Sequence, residues 1–196
     1  MGWEDGLEDH PPRGLCWSVC LPGATLAWPR VSALLRGVGL CLAFALTQVS
    51  FADELLGRVV GVMDGDTVDV LTPMKELVRV RLSGIDAPER KQAFGNVAKQ
   101  KLSDLVFSRD VVVEWHKKDR YGRIVGKILV NRVDANLQMV DAGMAWHYKQ
   151  YMAEQPLGDR LSYMHAETAA REKHIGLWRD ADPIPPWEFR HSRHKP

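Results

Sequence analysis

Between residues 57 and 130 the chain runs in short apolar stretches broken by turn residues, and this rhythm restricts the fold more than any other feature. The clearest stretch is Leu77 to Ile85, where Val78, Val80 and Leu82 alternate with Arg79, Arg81 and Ser83. Successive side chains leave a strand on opposite faces, so the aliphatic set shares one face and the polar set the other. Arg81 is therefore directed away from the side that holds the aliphatic core.

The neighbouring segments read the same way. Arg58 to Val62 is a β-branched run, Asp64-Gly65-Asp66 is a strong turn signal, Val68 to Leu71 resumes the strand, and Thr72-Pro73 turns again. Val111 to Trp115 and Ile124 to Val130 are two further strands around the turn Asp119-Arg120-Tyr121-Gly122. Helical spacing of Ala98, Leu102, Leu105 and Val106 predicts a helix over 94–106. Asn136 is expected to cap a short helix ending near Gly143, and Leu161 to His174 reads as the last helix, stopped by Gly176. The proline-rich segment from Asp182 to Trp187 is expected to lack regular structure and to lie on the surface, and Trp178 and Trp187 to pack against the barrel. Five strands with a helix between the third and fourth predict a mainly β protein, a five-stranded Greek-key barrel of the OB type with about three α-helices. At 196 residues and 45% hydrophobic, the chain can bury one such core.

The N-terminal quarter follows a different pattern. Residues 37–46 are an uncharged apolar run, preceded by Arg30 and Arg36 and followed by Ser50-Phe51-Ala52. A charged start, a short apolar stretch and a small-residue site describe a secretory signal cut after Ala52. The run falls well short of the roughly 20 apolar residues a membrane span needs, so no lasting membrane association is expected. Residues 1–29 carry Glu4, Asp5, Glu8 and Asp9, which do not suit a signal's positive start; one reading places the translation start near Val31. Cys16, Cys20 and Cys41 all lie in this quarter, so later residues use neither disulfide nor thiolate. The expected organisation is an extension and signal over 1–52, one domain over 53–180, and a proline-rich tail over 181–196. The protein is expected to be exported, to periplasm or medium, and to be a monomer.

A formal net charge of +1 excludes a protein that coats nucleic acid by bulk charge, but allows a local basic groove. Four short groups fit one reaction. Asp64-Gly65-Asp66-Thr67 offers carboxylates on a tight turn, Arg81 precedes Asp86-Ala87-Pro88-Glu89, and Asp119-Arg120-Tyr121-Gly122-Arg123 adds a second arginine. Phosphodiester hydrolysis needs a hard cation on oxygen ligands, which Asp66 and Asp86 are suited to hold. It needs a carboxylate to take the proton of the attacking water, for which Glu89 is the candidate. It also needs guanidinium groups to stabilise the more charged transition state. Lys117, Lys118, Arg120 and Arg123 crowd one turn and would guide a polyanion toward it.

In order and spacing these groups closely resemble the staphylococcal nuclease (thermonuclease) family, from about Gly57 to Trp178. The resemblance implies an OB barrel with three helices and Ca²⁺-dependent hydrolysis of DNA and RNA to 3′-phosphates and 5′-hydroxyls. By position it implies side-chain calcium ligands at Asp66 and Asp86, a main-chain carbonyl ligand at Ala87, and a catalytic set of Arg81, Glu89 and Arg123. It places Tyr121 in the nucleotide pocket, with Tyr148 and Tyr151 as candidates to stack on the base. Two departures stand out. Ala87 replaces the family type member's threonine, and the stretch after Glu89 is shorter and lacks a lysine-rich loop. A non-catalytic OB module that only binds nucleic acid is the alternative, but Arg81, Glu89 and Arg123 are all retained. A calcium-stabilised structural protein would leave the two arginines and Glu89 without a role.

Overall fold

The computed structural model describes residues 53–192. The expected N-terminal extension and signal, over 1–52, lie outside the described residues, as do 193–196.

Strands β1 (Asp53–Val62), β2 (Thr67–Leu71) and β3 (Leu77–Leu82) form an antiparallel meander. The short β4 (Ile85–Asp86) leads into α1 (Gly95–Val106). A hairpin of β5 (Asp110–Lys118) and β6 (Ile124–Val130) follows, then β7 (Val133–Asp134), α2 (Ala135–Asp141) and β8 (Trp146–His147). The chain ends with a 3₁₀ helix at Lys149–Glu154, α3 (Leu157–Glu172), a 3₁₀ helix at Gly176–Arg179 and α4 (Pro186–Ser192).

β1 pairs with both β2 and β5, and β6 pairs with β5 and, in parallel, with β3. The last pairing sets Val80 opposite Ile124 and closes a five-stranded barrel in the order β3-β2-β1-β5-β6, so the OB expectation is met. Its interior is built by the alternation read from the sequence. Val80 and Leu82 of β3 are buried with Val59, Val68, Val70, Val113 and Ile128, while Arg79 is exposed and Arg81 half-buried. α1 sets Ala98, Leu102 and Val106 into the same core, all on one helical face.

Beside that core lies a smaller cluster. Trp146, Ala170, Leu177 and Trp178 are buried together, with Phe94 and Trp187 packed on them. Trp146 meets Trp178 edge to face at 4.4 Å and Trp187 at 5.6 Å. Trp178 and Trp187 thus pack in this cluster, apart from the barrel core.

Three sequence expectations are corrected. The α2 cap is Asp134, whose side chain accepts the Leu137 amide at 3.0 Å. Asn136 lies inside that helix, fully buried, where it accepts the Ile128 amide and donates to the carbonyls of Ser83 and Gly126. α3 begins at Leu157, four residues before Leu161, and it is not the last helix.

The tail is irregular only through Pro185, because Pro186 opens α4. Proline suits the first position of a helix, where its fixed φ is correct and its missing N–H has no partner to lose. Glu188 in the first turn and Arg190 and His191 in the last complement the helix dipole. A helix this short needs tertiary packing to persist, and the tryptophan cluster supplies it.

Candidate active site

The turn between β1 and β2 presents the Asp66 carboxylate to Arg81 of β3 and to the segment that follows β4. Asp64 accepts the Asp66 amide at 3.1 Å, which shapes the turn. Gly65 is required there, since a Cβ would come within 2.6 Å of the Ala87 methyl and 2.9 Å of that of Ala98. Asp66 then turns inward. Its Oδ2 accepts the Ala87 amide at 2.7 Å, and its Oδ1 accepts the Thr67 hydroxyl at 3.1 Å.

Arg81, on the polar face of β3, ties this turn to β4. Its Nη1 lies 3.0 Å from Asp66 Oδ2 and donates to the carbonyls of Leu82 and Ile85, while Nη2 donates to Asp86 Oδ1 at 2.8 Å. Asp66 is 6% exposed and Asp86 fully buried, so the guanidinium is their inner counter-charge. Glu89, after the buried Pro88, reaches the rim of the same cleft. Its amide donates to Gln92 Oε1 at 3.1 Å and its carbonyl accepts the Gln92 amide at 2.8 Å, so the loop closes on itself.

A residue that sequence reasoning missed completes the group. Arg190 of α4 donates from Nη2 to Asp86 Oδ2 at 2.9 Å and from Nη1 to Glu89 Oε1 at 2.8 Å. The signal that could have revealed it was Pro186 with Glu188 and Arg190, an N-terminal proline with charges placed as a short helix wants them.

Arg123 stands on another wall. It donates through Nε to Asp119 Oδ2 at 2.7 Å. Burial alone would raise the Asp119 carboxyl, but Arg123 and the amides of Arg123 and Tyr121 hold it below the usual carboxylate value. The exposed Tyr121 ring lies under two guanidinium groups, Arg120 at 4.8 Å and Arg123 at 5.4 Å. Tyr148 and Tyr151 meet edge to face at 5.0 Å, Trp187 stacks on Tyr148, and Lys117 sits over Tyr151. The candidate ligand, catalytic and substrate-binding residues named from the sequence all line one cleft of about 680 Å³. Asp66, Arg81, Asp86 and Ala87 are linked directly, Glu89 joins them through Arg190, and Arg123 is anchored on Asp119 instead.

Comparison with known proteins decides the family. A family model described as staphylococcal nuclease homologue matches residues 79–180. The chain belongs to the staphylococcal nuclease family. Similar proteins include an uncharacterized endonuclease of Haemophilus influenzae, 41% identical over 77% of this chain and 82% of its own length. The protein ParB of Escherichia coli is 42% identical over 82% of this chain and 93% of its own length. A micrococcal nuclease of Shigella flexneri is 38% identical over 82% and 94%.

In this staphylococcal nuclease homologue the buried charges are unevenly matched. Burial pushes the Asp66 carboxyl up to about 7, against the pull of Arg81, with Asp64 and Asp86 adding to the rise and the Ala87 amide opposing it. Among the described residues no three His, Cys, Asp or Glu side chains form a metal-holding group. Two buried carboxylates beside the main chain of residue 87 are nevertheless hard oxygen donors, the type that a hard divalent cation prefers.

Proposed function

We infer that this protein is an exported nuclease that hydrolyses phosphodiester bonds of DNA, RNA or both with Ca²⁺, leaving 3′-phosphate and 5′-hydroxyl ends, and that it acts as a monomer. The nuclease reading is supported by family membership and by relatives named endonuclease and micrococcal nuclease. The observation that carries the chemistry is the convergence of Asp66, Arg81, Asp86, Glu89 and Arg123 on one cleft.

Asp66, Asp86 and the Ala87 carbonyl would hold the cation, which when bound neutralises charge on the phosphate. Glu89, partly exposed at the rim, takes the proton of the attacking water. Arg81 and Arg123 approach the phosphate from two walls and stabilise the charge that grows on its oxygens. The faces of Tyr121, Tyr148 and Tyr151 suit the bases of an unpaired strand, and Lys117 and Arg120 its backbone. Export rests on the sequence pattern before residue 53.

The test is degradation of denatured DNA and of RNA by the purified full chain with Ca²⁺ and with a chelator. Cleavage that stops on chelation, leaving 3′-phosphate ends, supports the reading. Cleavage indifferent to chelator rejects calcium, and binding without cleavage supports a non-catalytic OB module. Assay of culture fractions tests export.

A further inference from the structure

Both carboxylates that the proposed reaction uses at Asp86 and Glu89 are held by a cation that the chain itself supplies. Arg190 forks onto Asp86, Nη2 to Oδ2 at 2.9 Å and Nη1 to Oδ1 at 3.2 Å, and Nη1 also reaches Glu89 Oε1 at 2.8 Å. With Arg81 also on Oδ1, both oxygens of Asp86 are engaged by guanidinium groups.

The two arginines are held very differently. Arg81 belongs to a barrel strand, is 14% exposed and bonds four partners. Arg190 is 40% exposed and rides on a short terminal helix. That helix is fastened by Trp187, stacked on Tyr148 at 5.6 Å with ring planes 9° apart, and just before it by Gln92, which donates to the Ile184 carbonyl at 2.6 Å. The same helix therefore covers Asp86, Glu89 and a face of Tyr148. A divalent ion on Asp86 would meet the Arg190 guanidinium at contact distance, and like charges that close repel. Of the two cations, Arg190 is the one free to leave.

We propose that α4 is an autoinhibitory clasp: Arg190 occupies Asp86 and Glu89 until a divalent cation displaces it, so that metal loading and clasp docking oppose one another. The proposal rests on the calcium reading given above. Because such coupling is reciprocal, weakening the clasp tightens metal binding, and metal loosens the clasp.

The experiment is calcium titration by calorimetry on the full chain, in parallel with hydrogen exchange over residues 183–192. Arg190→Gln is expected to bind Ca²⁺ about fivefold or more tightly than the unaltered protein, the lower end of ordinary coupling. Arg190→Lys keeps the charge without the fork and is expected to fall between them. In the unaltered chain, Ca²⁺ is expected to speed exchange of the α4 amides. Equal or weaker calcium affinity in Arg190→Gln, or α4 exchange unchanged or slowed by calcium, overturns the clasp; the exchange measurement needs no variant to fold. Asp86→Asn separates the two readings. If it loses calcium while Arg190→Gln matches the unaltered protein, only the clasp fails. If it binds calcium as tightly as the unaltered protein, the metal reading fails and takes the clasp with it.

Discussion

The Oδ2 of Asp66 accepts the backbone amide of Ala87 at 2.7 Å, which joins the β1–β2 turn to the segment leading to Glu89. The two residues belong to motifs 21 positions apart. A charge-assisted bond of this kind is strong and directional, so one contact sets the spacing of both acidic motifs. Arg81 adds a second tie by reaching Asp66 and Asp86 together.

Arg81 and Arg123 are expected to separate stability from turnover. Arg81→Ala leaves the buried Asp66 without its cation and Asp86 with Arg190 alone, a loss of up to about 3–5 kcal/mol. Arg123→Ala removes a partly exposed pair with Asp119 and is expected to cost about 1 kcal/mol or less. Each should slow cleavage by about 100-fold or more. Urea unfolding beside a nuclease assay checks both, and equal stability losses would contradict the arrangement.

Glu89→Gln tests the base. The side chain is 38% exposed and sits at the rim, so the unfolding midpoint should move little. Turnover should fall by about 100-fold or more, the usual contribution of a positioned base. Undiminished turnover would remove Glu89 from the chemistry.

Gly95 links the first helix to that base. A Cβ here would lie 2.1 Å from the Glu89 carbonyl oxygen and 2.9 Å from its carbon, both backbone atoms. Gly95→Ala must therefore shift the Glu89 loop, with an expected stability cost of about 1–3 kcal/mol and a larger loss of activity than that cost explains. Gly158→Ala is the control, since nothing lies within 4 Å of its Cβ position. It should stabilise α3 by up to about 1 kcal/mol and leave cleavage unchanged.

Asp66 should make stability depend on pH in an unusual direction. Its folded carboxyl sits at about 7, above the ordinary 3.8, so the folded state holds the proton more tightly than the unfolded state does. The stability this lends is fully present below about pH 4 and is lost as pH rises through about 7. Asp66→Asn cannot lose that proton. Without divalent cations, thermal melts should show the variant gaining on the unaltered protein from pH 5 to pH 8. A constant difference across that range would contradict the assignment.

Much of the fold was legible before any coordinates. In the Val78, Val80, Leu82 alternation Val80 and Leu82 became buried core and Val78 a half-buried neighbour of it, and 124–130 became β6 without change. These signals are local, because a strand's period is written in consecutive residues. The acidic turn and the Asp86-to-Glu89 run were readable for the same reason, and their convergence was implied by a family resemblance rather than by their own spacing. Asn136 was misjudged because capping and burial use the same polar amide. The choice was made by open groups on Ile128, Ser83 and Gly126, which a helix propensity does not contain.

The sequence by itself determined the strand pattern, the turn chemistry and the residue types able to cut a phosphodiester. Tertiary structure decided where the tail goes. Arg190 lies 104 residues from Asp86 and 101 from Glu89, and no local propensity spans such a distance. Its place follows from Trp187 finding Trp146 and Tyr148, and from buried carboxylates that must be matched by positive charge wherever the folded chain can bring it.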